Sequence, residues 1–141
     1  MIMQGIISAS KARADFSRFI DSVVHEKPHG IQRHRDVMFN FSLEHLLSLI
    51  DDKVVTVDYH KDNDGTIYGS VKELDITGYG DTVDDFIDDI AIQMKEYAED
   101  YYNNFTRYFH STNRKSHFPY IMNILIQDDV EAVKVNVIKR G

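Results

Sequence analysis

From Val83 onward, apolar side chains recur at the spacing of one helical face: Val83, Phe86, Ile87, Ile90, Met94, Tyr97 and Tyr101. A helix with a single apolar stripe needs a surface to bury it against, and the preceding residues supply one. Val55, Val57 and Tyr59 alternate with Thr56 and Asp58, as in a half-buried strand. Asp62-Asn63-Asp64-Gly65 signals a hairpin turn, Ile67 to Val71 returns the chain, and Ile76 to Tyr79 adds a third strand. Asp81-Thr82 then caps the helix, with Asp84 and Asp85 in the first turn, where the dipole favours acids. The periodicity carries the helix to about His110, ~40 Å at ~1.5 Å per residue. The expected fold class is α+β, with a small antiparallel sheet and a long packing helix.

The front of the chain reads as a separate module. Ile2 to Ile7 is apolar and strand-like. Ser8 and Ser10 offer N-caps to a helix whose face carries Ala9, Ala12, Phe16, Phe19, Ile20 and Val23, and Pro28 and Gly30 end it. Ile31 to Arg33 and Val37 to Phe41 suggest two strands around the turn His34-Arg35-Asp36. Ser42 caps a short helix bearing Leu43, Leu46, Leu47 and Ile50. Asp51-Asp52-Lys53 marks a boundary, giving modules at 1–50 and 51–141. In the tail, Pro119 suits the first position of a helix, and Asp128-Asp129-Val130-Glu131 forms a capping pattern. Val133, Val135 and Val137 alternate, so a short helix followed by an edge strand is expected there.

Composition narrows the function classes. With 43% hydrophobic residues the chain can build a packed core. The absence of cysteine removes disulfides, thiolate metal sites and a thiol nucleophile, which suits a cytoplasmic location. The first residues lack the basic and apolar parts of a signal peptide, and no stretch approaches the roughly 20 apolar residues of a membrane span. The net charge of -7 is uneven. Up to Ile50 there are 6 Lys and Arg against 5 Asp and Glu, and beyond it 10 against 18. A near-neutral front and an acidic back suit two different partners.

The residues that bear on chemistry are few. Ser8, Ser10, Lys11 and Arg13 open the first helix with hydroxyls and cations but no acid until Asp15. Cations there oppose the helix dipole by a few tenths of a kcal/mol each, unless an anion such as a DNA phosphate docks. Arg33 and Arg35 flank the next turn and would join that site if the turn lies beside the helix start. Asp84, Asp85, Asp88 and Asp89 give the long helix an acidic face fit to steer a basic protein. No catalytic triad or carboxylate dyad is evident, and no cofactor is implied. The calcium-loop reading of Asp62 to Gly65 fails because His60 and Val71 would occupy ligand positions. His25, His29 and His34 are separated by Pro28 and Gly30, so no metal is assigned.

The stretch Ile7-Ser8-Ala9-Ser10-Lys11-Ala12-Arg13-Ala14-Asp15-Phe16, with Phe19-Ile20-Asp21-Ser22-Val23, resembles the Phd/YefM antitoxin family. The resemblance continues through Ile31-Gln32-Arg33, Val37 to Ser42 and Glu44 to Ile50. It implies a homodimer that binds operator DNA through the helix start and the nearby basic turn. The family usually has a glycine where Arg-His-Arg-Asp stands here. The second part is similar to the HicB-type antitoxin domain at Asp64-Gly65, Ser70-Val71-Lys72-Glu73-Leu74 and Gly80-Asp81-Thr82. Together the resemblances imply a type II antitoxin: a non-enzymatic, autorepressing protein that neutralises a small basic toxin by direct binding. Two other readings stay open: a stand-alone repressor with a ligand-sensing second domain, and an RNase H-type nuclease using Asp58, Asp62 or Asp75.

Overall fold

The computed structural model describes residues 4–140. The chain falls into two compact units, residues 1–49 and 50–141, each with its own sheet. Part of the apolar stretch Ile2 to Ile7 lies outside the described residues.

In the first unit, β1 (Ile6–Ser8) runs parallel to β2 (His29–Arg33), which pairs antiparallel with β3 (Asp36–Asn40). The single helix expected after Ser8 is two helices, α1 (Ala9–Ala14) and α2 (Phe16–His25). Asp15 causes the break: its backbone is extended (ψ 76°) and its carboxylate accepts from Arg18 N at 3.2 Å, so it caps the second helix. Ser8 caps the first, accepting from Lys11 N at 3.2 Å, while Ser10 lies inside α1 and is no cap. Ser42 caps α3 (Leu43–Ile50) through His45 N, as its position suggested. The hairpin turn is only His34-Arg35, and His34 takes the left-handed backbone (φ 56°) that glycine would adopt freely.

The second unit is a four-stranded sheet with helices stacked on one face. Strands β4 (Val55–Lys61), β5 (Ile67–Val71) and β6 (Ile76–Gly80) form the expected antiparallel meander. Gly65 turns the first hairpin with φ 86°, and Asp64 accepts from Thr66 N. The sheet is not wholly antiparallel: β7 (Ile138–Lys139) joins the far side of β4 in parallel, giving the order β6-β5-β4-β7. Thr82 caps α4 (Val83–Asn103). Phe86, Ile87, Ile90, Ala91, Met94, Ala98 and Tyr101 are fully buried along it. The helix stops at Asn103 rather than near His110, because Asn104 leaves the helical conformation and binds back to Asp100; α5 (Phe105–Phe109) follows.

The tail completes this core. A 3-10 turn at Lys115–His117 leads into α6 (Phe118–Leu125), with Pro119 in its first turn, and Asp129 caps α7 (Val130–Asn136). Both helices pack on α4, burying Ile121, Ile124, Val133 and Val137. Asn123, itself buried, donates to Lys53 O at 2.9 Å and ties α6 to the start of the unit.

Glycines let α4 sit low on the sheet. A Cβ on Gly78 would stand 2.7 Å from Asp89 Oδ2 and 2.9 Å from Ile90. From that close seat, α4 reaches the outer edge of β6. Asp89 accepts from Tyr79 N at 3.0 Å and Gln93 donates to Thr77 O at 2.8 Å, closing polar groups an edge strand would otherwise leave open.

Candidate functional site

The parallel pairing of β1 and β2 sets which segments of the first unit leave the same end of its sheet. Ser8 lies opposite Gln32, so both strands finish at the same end of the sheet. Beyond Ser8 the chain enters α1 with Ser10, Lys11 and Arg13; beyond Gln32 it enters Arg33 and the turn that holds Arg35. A cleft of about 290 Å³ lined by Ala9, Ile31, Arg33 and Val37 joins the two segments. Ser10, Lys11, Arg13, Arg33 and Arg35 are all exposed. Arg33 has a loose, solvent-screened contact with Asp36 at 4.0 Å. Among the described residues, Lys11, Arg13 and Arg35 have no carboxylate within 4.0 Å.

Lys11 and Arg13 also occupy the last turn of a six-residue α1, where cations are favourable, so the dipole conflict largely disappears. What the structure adds is that α1 and the β2–β3 turn, each carrying exposed cations, leave the same end of the sheet.

The same unit buries little of its apolar surface. Its core is Ala12, Phe19 and Val23, with Ile7 and Ile31 packed alongside. Phe16 (57% exposed), Ile20, Val24, Met38 (55%), Phe39 and Leu43 (59%) remain in solvent. Val37, Met38 and Phe39 sit on β3, an edge strand. A unit of this size rarely stands on so small a core without another stabilising contact.

The acids of α4 do not form one free surface. Asp88 is bound by Lys134, whose ammonium is held above its usual pKa by the carboxylates of Asp88 and then Glu131. Asp84 meets Arg140 at 3.3 Å, and Asp89 seals β6. Of these four, Asp85 is exposed and has no salt bridge among the described residues. The nuclease carboxylates do not converge either. Asp62 stands in the β4–β5 turn, Asp75 in the β5–β6 turn at the opposite end of the sheet, and Asp58 pairs with Lys72 at 3.1 Å.

The outer face of this sheet carries residues that no motif in the sequence singles out. His60, Tyr68 and Tyr79 lie directly opposite one another on β4, β5 and β6, with ring centroids 6.3 and 6.1 Å apart. Period-2 alternation places each ring outward, but only the register aligns them. Asp58, Ser70 and Thr77 form the next row, and the rows floor a groove of about 720 Å³ that Asp89 and Gln93 also line.

No curated protein matches the chain. The crystal structure of a protein from Syntrophomonas wolfei subsp. wolfei, described as the antitoxin part of a candidate toxin/antitoxin system, matches with a TM-score of 0.89. It is 33% identical, and the match covers 99% of this chain and 100% of that one. The family of antitoxins of RelE/RelB toxin–antitoxin systems matches residues 3–139. Proteins of that kind are regulators rather than enzymes, and each has a cognate toxin. The chain belongs to this family of RelE/RelB-type antitoxins.

Proposed function

We propose that the two units divide the work of a type II antitoxin in the cytoplasm. The first, Phd/YefM-like unit forms a homodimer and binds operator DNA to autorepress the operon. The second, HicB-like unit holds a small basic toxin, and of the four acids in the first two turns of α4, Asp85 and Asp89 have no cationic partner among the described residues. The observation that carries the DNA-binding reading is the meeting of Ser8, Ser10, Lys11 and Arg13 with Arg33 and Arg35 at one sheet end. Hydroxyls and cations of this kind recognise phosphates, and neutralised phosphates release counterions. The exposed apolar side chains of α2 and β3 support dimerisation, since a second copy buries them without any other partner.

The test is binding to a duplex from upstream of the protein's own reading frame, followed by anisotropy across salt concentrations. Lys11→Ala with Arg13→Ala removes two cations from each protomer. If each meets a phosphate, a dimer loses four contacts, and the slope of log K against log salt falls by about 3.6. Unchanged affinity and slope refute the site.

A further inference from the structure

We propose that the groove on the outer face of the second unit's sheet is the surface that holds the toxin, and that an arginine-bearing segment of the toxin occupies it. The proposal rests on the reading of this unit as the toxin-holding one and deepens it by naming the surface and the chemistry.

Two observations point to a protein partner. First, α4 covers the face carrying Val57, Val71 and Ile76, while α6 and α7 pack on α4, so the helices crowd the other side of the sheet. The ladder His60–Tyr68–Tyr79 is exposed, Tyr79 by 65%. Cross-strand ring pairs add a little to sheet stability, and tyrosine is enriched where proteins meet. Second, carboxylates surround the rings. Asp58 and Asp89 line the groove, and Asp62, Asp64 and Asp81 stand where β4 ends and β5 and β6 begin or finish beside the ladder. Two lysines stand nearby: Lys72, already paired with Asp58, and Lys61, which strand alternation puts on the opposite face from His60. Asp89 Oδ2 takes both Tyr79 N and Gln93 Nε2, and Oδ1 has no partner among the described residues.

The charge selects the occupant. A single nucleic-acid strand also stacks on such rings, but it needs cations along its phosphates, and here it would meet carboxylates. A guanidinium suits both features: its plane lies over a tyrosine face and its N–H fork pairs with a carboxylate. The groove, about 720 Å³, has room for several side chains of an extended segment.

The experiment uses the full chain and the purified product of the adjacent reading frame, with affinity from isothermal titration calorimetry. Tyr68→Ala with Tyr79→Ala is expected to weaken binding about 10- to 100-fold. Tyr68→Phe with Tyr79→Phe keeps the ring faces and stays within about 3-fold of wild type. Asp58→Lys weakens binding and flattens its salt dependence, while Glu99→Gln, near the far end of α4 and outside the groove, leaves it unchanged. The proposal is overturned if the alanine pair binds like wild type, or if Glu99→Gln is the damaging change. It is also overturned if the alanine pair alters only the sedimenting mass, which would assign the face to a second copy. Loss of single-stranded oligonucleotide binding alone would overturn it in favour of nucleic acid. If wild type neither binds that product nor rescues growth, the reading of the second unit fails, and this proposal with it.

Discussion

Gly78→Ala tests how closely α4 must approach the sheet. The new Cβ would lie 2.7 Å from Asp89 Oδ2, 2.9 Å from Ile90 Cδ1 and 3.3 Å from Ile90 Cγ1. Ile90 is fully buried and has nowhere to retreat without moving the helix. Overpacking of this kind costs about 1–3 kcal/mol. If Asp89 swings away instead, it abandons Tyr79 N and Gln93 Nε2, and a hydrogen bond to a charged group contributes about 1.5–3 kcal/mol. The expected loss is therefore about 2–5 kcal/mol, or a drop of very roughly 10–30 °C in the Tm of a unit this size. The assay is simple because the chain has no tryptophan and all eight tyrosines lie in the second unit. Tyrosine emission during urea unfolding thus reports that unit alone. Thr77→Ala, at an exposed neighbouring position on β6, is the control and should change stability by less than about 0.5 kcal/mol. A Gly78→Ala loss as small as the control's would refute the close-seat argument.

Two further outcomes follow from buried and exposed groups. His117 is 4% exposed and its Nδ1 lies 2.7 Å from Tyr97 Oη; burial, then the Arg114 charge, lowers its pKa from the ordinary value near 6.5. The unfolded state therefore binds the proton more readily, so this contribution is complete above about pH 6.5 and declines as pH falls below it. Urea midpoints from tyrosine emission should fall with pH in that range, and His117→Gln should remove that component of the slope. On the first unit, Met38→Asp puts a charge on the exposed edge strand. It is expected to shift the sedimentation profile from dimer to monomer and to weaken operator binding, and an unchanged dimer would move the interface elsewhere.

Much of the fold was legible because local chemistry set it. The α4 stripe, the Asp62-to-Gly65 turn, and the caps at Ser42, Thr82 and Asp129 depend on residues within a few positions of one another. The breaks at Asp15 and Asn104 were missed because apolar periodicity runs through both, and only the side-chain bonds to Arg18 N and Asp100 O reveal them. The capping residues themselves were the available signal. The parallel β4–β7 pair joins residues far apart in the chain, and no sequence pattern specifies such a register. The candidate sites divide the same way. The basic residues near Ser8 and Arg33 were identified by type, but their shared end needed the β1–β2 pairing. That two acids of α4, Asp88 and Asp84, are ion-paired could not be read locally, because Lys134 and Arg140 come back from far along the chain. The aromatic ladder was written in three alternating strands, and only their alignment makes it one surface.

The pairing of Val55 with Ile138 sets an order of events during synthesis. The strand that begins the second unit's sheet waits for one of the last segments to leave the ribosome, whereas every strand of the first unit is made within its opening forty residues. At about 5–20 residues per second, the roughly eighty residues between Val55 and Ile138 take about 4–17 s. During that interval the first unit can already be folded while Val55 N still lacks the Val137 carbonyl that later receives it. Each newly made molecule therefore passes through a stage in which its two halves are unequally mature.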